Sequence, residues 1–350
     1  MSSDPFTALT SALADRYTIE RELGRGGAAA VFLAEDLRHH RKVALKILRP
    51  EVAEAVGRDR FLKEIEVAAG LIHPHIVPLF DSGDASGVLY FVMPFVEGES
   101  LRARLDREGA LPVDEAVRIA RELADALGYA HSHGVVHRDV KPEKVLLEAG
   151  HAMLADFGVA RAVHVEEDQR LTRSGMAVGT PAYMSPEQAA GDEQVDGRSD
   201  QYALGCLLYE MLTGIAPYSG PSSESVIRQH LAGTPTPVRQ VRPTVPEGLA
   251  AALERAMAKV PADRFGCMEA FAGALHGGGA PAAPPSGRSS NHRSLRGLAL
   301  AVGSLTVAAL VATAVLKPEE NRTPPAILVM PADGAGTADL ELADGVATAV

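Results

Sequence analysis

Hydrophobic and polar positions alternate with a period of two along Lys42 to Leu48. Val43, Leu45 and Ile47 share one face and Ala44, Lys46 and Leu48 the other, which predicts a strand. Val31 to Glu35 predicts a second strand just before it, so the glycines of Gly24-Arg25-Gly26-Gly27 fall at a hairpin tip and not at the start of a helix. Arg38 to Lys42 reads as a basic turn between the two strands, and Leu89 to Val96 is an apolar run of strand length. From Arg58 to Leu71 the spacing becomes helical. Phe61 lies three residues before Glu64 and Ala68 four after it, which sets that carboxylate on the apolar face. Beyond Leu275 the pattern breaks: Gly277-Gly278-Gly279 through Asn291 is rich in Gly, Pro, Ala and Ser and reads as a flexible linker. Gly297 to Leu316 then runs twenty residues without a charge. As a helix it would extend about 30 Å, the depth of a bilayer core. The alternative for this stretch is a helix that docks on the chain itself.

Composition narrows this picture. A chain of 350 residues has room for two domains. Its net charge of −11, with no basic stripe interleaved with aromatics, argues against a nucleic-acid partner. Two cysteines, Cys206 and Cys267, suit a reducing compartment without a disulfide framework, and no Cys/His set has metal-ligand spacing. His39-His40 and His73-Pro74-His75 read as ordinary loop residues. Met1 to Arg16 has neither the basic start nor the apolar core of a signal peptide. Arg288, Arg293 and Arg296 precede the uncharged stretch and Lys317 and Arg322 follow it, a slight basic excess that leans toward a cytoplasmic N-terminus. Ser304, Ala308 and Ala312 form a small-residue ridge suited to helix pairing, and so to a homodimer.

The chemistry concentrates in a few short segments. Lys46 lies inside an apolar run, where an ammonium needs a partner. Glycines at 24, 26 and 27 let backbone N–H groups approach an anion closely. The stretch Val136-His137-Arg138-Asp139-Val140-Lys141-Pro142-Glu143-Lys144 resembles the catalytic loop of a protein kinase. Four further segments follow the same pattern in the same order. Gly24 to Val31 resembles the glycine-rich loop, Val43-Ala44-Leu45-Lys46 the strand with the ATP-binding lysine, Asp156-Phe157-Gly158 the metal-binding triplet, and Ser185-Pro186-Glu187 the close of the activation segment. The resemblance covers about Tyr17 to Leu275, and the chain is similar to bacterial eukaryotic-like (Hanks-type) transmembrane serine/threonine protein kinases.

That resemblance implies an α+β bilobal fold with a small β-rich N-lobe and a large helical C-lobe. Residues 1–16 would be an N-terminal extension and 17–275 the kinase domain, with an N-lobe over about 17–93 and a C-lobe over about 97–275. Residues 276–296 would be the juxtamembrane linker, 297–316 a transmembrane helix, and 317–350 an extracytoplasmic segment. In that last segment Ile327 to Pro331 and Ala343-Asp344-Gly345 resemble the start of a TolB-like domain. The implied activity transfers the γ-phosphoryl group of ATP, with Mg²⁺, to Ser or Thr hydroxyls of proteins, its own activation loop included. The kinase domain would be cytoplasmic, on the inner face of the cell membrane.

Residue by residue, the resemblance makes Asp139 the base and Lys141 the group that steadies the transferring phosphate. Gly24, Arg25, Gly26, Gly27, Lys46 and Glu64 would position ATP, with Lys46 and Glu64 paired. Val31, Ala44 and Leu146 would enclose the adenine, Met93 would be the gatekeeper, and the backbone of Pro94 and Val96 would meet the adenine edge. Thr172 and Ser174 would be phosphosites captured by Arg138, and Thr180 would shape the substrate-docking loop. Asp200 would brace the catalytic loop and Arg264 would pair with Glu187, both as structural groups. Asp156 would bind metal, but Lys144 stands where the family has a second metal ligand, an asparagine. A protonated lysine only donates hydrogen bonds and cannot ligate a metal. Either its ammonium replaces one metal charge, leaving an active one-metal enzyme, or it repels the metals and leaves an ATP-binding pseudokinase that signals as a scaffold.

Overall fold

The computed structural model describes residues 5–85, 87–157, 181–192 and 194–275. The expected phosphosites Thr172 and Ser174, together with Thr180, the linker, the uncharged stretch 297–316 and the segment 317–350, lie outside these residues. Among the described residues no helix is long and apolar enough to cross a membrane.

The N-lobe is a five-stranded antiparallel sheet built from β1 (Tyr17–Arg25), β2 (Ala29–Asp36), β3 (Arg41–Leu48), β4 (Asp81–Ala85) and β5 (Val88–Pro94), in the order β1-β2-β3-β5-β4. The two-residue period of β3 serves both of its faces. Val43, Leu45 and Ile47 pack with Tyr17, Phe32 and Val92, whereas Ala44 and Leu48 pack with Phe61, Ile65, Phe91 and Met93. A sheet covered on both sides needs apolar residues at both parities, as Lys42 to Leu48 shows.

Helix α1 (Pro5–Ala12) was not legible in the sequence. Leu9 and the following Leu13 are buried against β1, β2 and β3, so residues placed in an extension complete the core on that side of the sheet. Helix α2 (Pro50–Val56) leads into α3 (Arg58–Ala69), which buries Phe61, Ile65 and Ala68 against the other side. The spacing predicts this helix to Leu71; it stops two residues earlier, at Ala69, where Gly70 caps it.

In the C-lobe, β6 (Glu99–Ser100), β7 (Val145–Glu148) and β8 (His151–Leu154) form a small antiparallel sheet beside α4 (Leu101–Glu108) and α5 (Val113–Ser132). Short helix α6 (Pro186–Ala189) precedes α7 (Gly197–Thr213), and α8 (Ser223–Ala232), α9 (Val238–Val241), α10 (Glu247–Ala256) and α11 (Met268–Ala274) follow. Cys206 is buried and Cys267 exposed, and both are free thiols.

From Ser199 to Leu212, helix α7 is buried on every side. A helix in that position can carry polar residues only if each is partnered. Gln201 accepts from the Phe265 amide at 2.9 Å. Glu210 accepts from Arg102 at 2.7 Å and from the Tyr183 hydroxyl. Asp200 bonds toward the loop after α5, as described below. Outside α7, Arg264 is fully buried and donates all five of its N–H bonds: to Glu187 at 2.7 and 2.8 Å, and to the carbonyls of Ala258, Arg198 and Lys259. This is the Arg264–Glu187 pair expected from the sequence. It fastens α6 to the loop after α10.

Helix α8 carries a buried histidine. His230 Nδ1 meets the Tyr202 hydroxyl at 3.0 Å, and its ring lies edge-on to Tyr218. Lys259 donates to the Gln229 and His230 carbonyls at 3.0 and 2.7 Å and to Tyr218 at 2.8 Å, closing the C-terminal end of α8. Burial, reinforced by the Lys259 charge, pushes His230 down to about 4 from an ordinary 6.5.

Two outcomes follow from these contacts. Arg264→Ala leaves Glu187 buried without its counter-charge and should cost about 3–5 kcal/mol in urea unfolding. As pH falls below 6.5 the unfolded chain protonates at position 230 while the folded one resists until about 4. Stability from this residue is therefore lost with falling pH across that window. His230→Gln should flatten the acid-side slope of stability by about 1 kcal/mol per pH unit, read from urea midpoints.

Candidate active site

The cleft between the lobes is lined from three directions: β3 and β5 above, the loop 137–144 below, and the turn after β8 behind. Antiparallel pairing sets Val31 opposite Lys46 and Lys46 opposite Phe91. Ala44, Met93 and Ala155 are buried in one apolar cluster, and Val31, Val96, Leu146 and Met153 pack against it. The residues expected around an adenine therefore share one apolar surface. Gly98 is required where the inter-lobe segment crosses β7: a Cβ there would sit 1.9 Å from the Leu147 carbonyl oxygen. No pattern in the sequence marks that glycine, because its constraint comes from a strand almost fifty residues away.

At the hairpin tip the Gly26 amide donates to the Ala29 carbonyl at 2.8 Å, and Arg25 is held outward by Glu22 at 2.6 Å. Gly24 and Gly27 are exposed. Gly24, Gly26 and Gly27 are thus exposed at the hairpin, with Arg25 bonded to its own strand.

The loop after α5 is fixed by backbone contacts. Asp200 Oδ2 accepts from the His137 amide at 2.8 Å and meets His131 Nε2 at 2.8 Å, while Oδ1 accepts from the Arg138 amide at 2.7 Å. The Asp200 brace expected from the sequence is thus made through backbone amides. Arg138 takes the left-handed conformation at φ 65°, which a residue with a Cβ adopts at a cost that these bonds offset. Its side chain donates to the Val195 carbonyl at 3.2 Å, and its own carbonyl accepts from Gln188 at 2.8 Å.

His137 has a role that sequence reasoning missed. Its Nδ1 accepts from the Asp139 amide at 3.2 Å, which leaves the proton on Nε2 to donate to the Ala155 carbonyl at 3.0 Å. Complete burial keeps the ring neutral, lowering its pKa. It also stacks edge-on to Phe157 at 4.7 Å, so one imidazole links the catalytic loop to the segment carrying Asp156. Asp139 and Lys141 are paired at 2.7 Å and both remain partly open to solvent.

The centre of the site is one carboxylate with two ammonium groups. Lys46 Nζ lies 2.5 Å from Asp156 Oδ2, and Lys144 Nζ bonds the same oxygen. Burial opposes the Asp156 charge, but Lys144 and Lys46 outweigh it and hold the carboxyl well below its ordinary range. Burial and the neighbouring Lys144 charge draw Lys46 down to about 8, against the pull of Asp156. Asp156 itself is left-handed at φ 70°, a strained conformation that aims its carboxylate into the cleft.

The expected Lys46–Glu64 pair is not made. Glu64 accepts from Arg60 at 3.1 Å, one turn back on α3, and its Oε2 is buried without a partner. Lys46 turns instead to Asp156, whose carboxylate is the nearer counter-charge.

Among the described residues Asp156 Oδ1 is also buried without a hydrogen-bond partner, and an anionic oxygen in that state suits a hard cation. Among the described residues no group of three or more His, Cys, Asp or Glu could cage a metal. The donor set therefore fits a Mg²⁺ that takes one protein carboxylate and completes its shell with phosphate oxygens and water.

Comparison with known proteins places this geometry in a family. The profile described as "Protein kinase domain" matches residues 17–274. Serine/threonine-protein kinase PknD of Mycobacterium tuberculosis (strain CDC 1551 / Oshkosh) is 47% identical over 252 residues, 71% of this chain and 37% of that protein. Serine/threonine-protein kinase PknB of Mycobacterium leprae (strain TN) is 41% identical over 285 residues, covering 78% and 45%. PknB of Mycobacterium tuberculosis (strain ATCC 25177 / H37Ra) is 40% identical over 309 residues, covering 85% and 48%. The matched regions span less than half the length of each of these relatives. A match from Tyr17 through the last helix, together with the two-lobed fold, settles the affiliation: this chain belongs to the protein kinase domain family.

Proposed function

We propose that this protein is a serine/threonine protein kinase that uses ATP and Mg²⁺ and phosphorylates protein hydroxyls, its own Thr172 and Ser174 among them. The observation that carries the reading is the Lys46–Asp156 contact at 2.5 Å, which joins the N-lobe strand to the C-lobe turn above the Asp139–Lys141 pair. Positive charge for the phosphates, an apolar slot for the base and a carboxylate for the acceptor hydroxyl thereby face one cleft.

In this reading Asp139 accepts the proton of a Ser or Thr hydroxyl. The hydroxyl oxygen bonds to the γ-phosphorus as the bond to the β–γ bridging oxygen breaks, and ADP leaves with that electron pair. Lys141 and Lys46 hold the phosphate oxygens, and Val31, Ala44, Met93 and Leu146 exclude water around the base. Asp156 would hold Mg²⁺ through its free Oδ1, and the bound ion supplies neutralisation of phosphate charge. Glu64 would take over Lys46 when α3 shifts, and Arg138 would exchange the Val195 carbonyl for a phosphorylated loop residue.

The organisation around the domain belongs to the same proposal. Residues 17–275 form the catalytic domain on the cytoplasmic side, 276–296 a linker, 297–316 a single membrane span whose small-residue ridge favours a homodimer, and 317–350 an extracytoplasmic segment. Twenty uncharged residues in 297–316 support the span, and the need for ATP supports the orientation. Recovery of the full chain from cell membranes by detergent alone, with release when 297–316 is deleted, is the expected result; a freely soluble full chain would remove the span.

A second reading is favoured by one contact. Lys144 occupies the Asp156 carboxylate, and a pseudokinase that binds ATP without turning it over would look the same. The full chain with radiolabelled ATP and Mg²⁺ separates the two. Label on protein, reduced about 100-fold or more by Asp139→Asn, is the outcome for a kinase. ATP binding without label, and label appearing only in Lys144→Asn, is the outcome for a pseudokinase. Asp200→Ala should lower kcat about 10–100-fold by loosening the loop, with the KM for ATP nearly unchanged, as expected of a positioning residue.

A further inference from the structure

Lys144 is placed with unusual rigidity for a lysine. Its amide donates to the Lys141 carbonyl at 2.9 Å, and its carbonyl accepts from the Ala155 amide at 2.9 Å. Pro142 opens the 3₁₀ turn that ends at Lys144, so the backbone is stiff on one side and tied to the residue before Asp156 on the other. From that backbone the side chain runs to Asp156. It is only 20% exposed, and its ammonium ends on the oxygen that Lys46 also holds.

The local charges do not cancel. Lys46 and Lys144 bring two positive charges to the single negative charge of Asp156, whereas Lys141 and Asp139 neutralise each other. Among these five groups one positive charge remains in excess, inside a cleft whose expected occupant is a triphosphate. With asparagine at 144 that excess would vanish, and a second cation would have to supply it. A second dication, added to the one that Asp156 would hold, would meet the existing ammonium and be repelled in this partly buried setting. Among the described residues, Asp156 Oδ1 is a buried carboxylate oxygen without a hydrogen-bond partner and is open to a metal.

Building on the reading of this cleft as the ATP site, we propose that the Lys144 ammonium takes the place of a second divalent ion and contacts the ATP phosphates directly. The site then works with a single Mg²⁺ and retains ATP binding when metal is withdrawn. Lys144 is a specificity-determining group for the metal requirement, and the substitution that makes the catalytic loop atypical is what supplies the missing charge.

The test uses the full chain with a non-hydrolysable imido analogue of ATP. Mn²⁺ bound per nucleotide is counted by electron paramagnetic resonance, and analogue affinity is measured by calorimetry in excess EDTA. The wild type should hold a single Mn²⁺ per nucleotide and bind the analogue in EDTA. Lys144→Asn should gain a second Mn²⁺. Lys144→Met, which offers neither charge nor ligand, should not. Both variants should lose metal-free affinity by about tenfold or more, the worth of a charge-assisted phosphate contact. Two Mn²⁺ ions on the wild type, or equal metal-free affinity in all three proteins, overturns the proposal. A single Mn²⁺ with no phosphoryl transfer would remove the kinase reading and leave this assignment standing. Transfer with two Mn²⁺ ions would do the reverse.

Discussion

Asp200 is a carboxylate buried in the first turn of α7, and the loop after α5 hangs from it. Its two oxygens take the amides of His137 and Arg138 and meet the imidazole of His131, so α5, the loop and α7 are joined at one residue. Taking a carboxylate out of water is costly unless its acceptor capacity is used. Here two of the three bonds come from backbone amides, which have no rotamers to lose. The result is a loop held in a strained conformation at Arg138, with Asp139 and Lys141 presented upward and His137 tucked beneath Ala155.

Rigidity then passes from the loop to the cleft in steps. His137 links the loop to the turn after β8 through the Ala155 carbonyl, and the Lys144 carbonyl accepts from the Ala155 amide. Asp156 follows directly in a left-handed conformation, with its carboxylate aimed at β3. The Lys46 contact closes the path across the lobes. The N-lobe contributes a strand buried on both sides, so the position of Lys46 is set by packing and not by the ion pair it makes. The geometry of the charges is therefore fixed by apolar cores above and below, joined by a short chain of hydrogen bonds.

The contacts at Lys46 show how the electrostatics select among partners. Glu64 lies on the inner face of α3, where the helical spacing puts it, yet Lys46 bonds Asp156 and Glu64 bonds Arg60. Two ammonium groups on one carboxylate leave positive charge in excess at Asp156, while Glu64 keeps a buried oxygen without a partner. The positive excess at Lys46 would be met by Glu64 or by a bound phosphate, and the unpartnered Glu64 oxygen by Lys46.

Much of this was legible in the sequence. The period-two pattern of Lys42 to Leu48 gave β3 and the sharing of a face by Ala44 and Lys46. Helical spacing gave α3 and the inward Glu64. Five ordered segments carried the family resemblance, and it was that resemblance, not any local spacing, that implied the Asp200 brace and the Arg264–Glu187 pair, which join residues more than sixty apart. Other features depend on where distant segments meet. The docking of Leu9 and Leu13 on the sheet, the need for glycine at 98 against Leu147, the His137 link to Ala155 and the choice of Asp156 over Glu64 by Lys46 all fall in this class. Local sequence carries no periodic signal for a contact between residues far apart in the chain. The sequence by itself determined which chemical groups are present and which elements hold them. Only the tertiary structure decided which charges share an oxygen, because that is settled by distances of a few ångströms between elements that no spacing along the chain encodes.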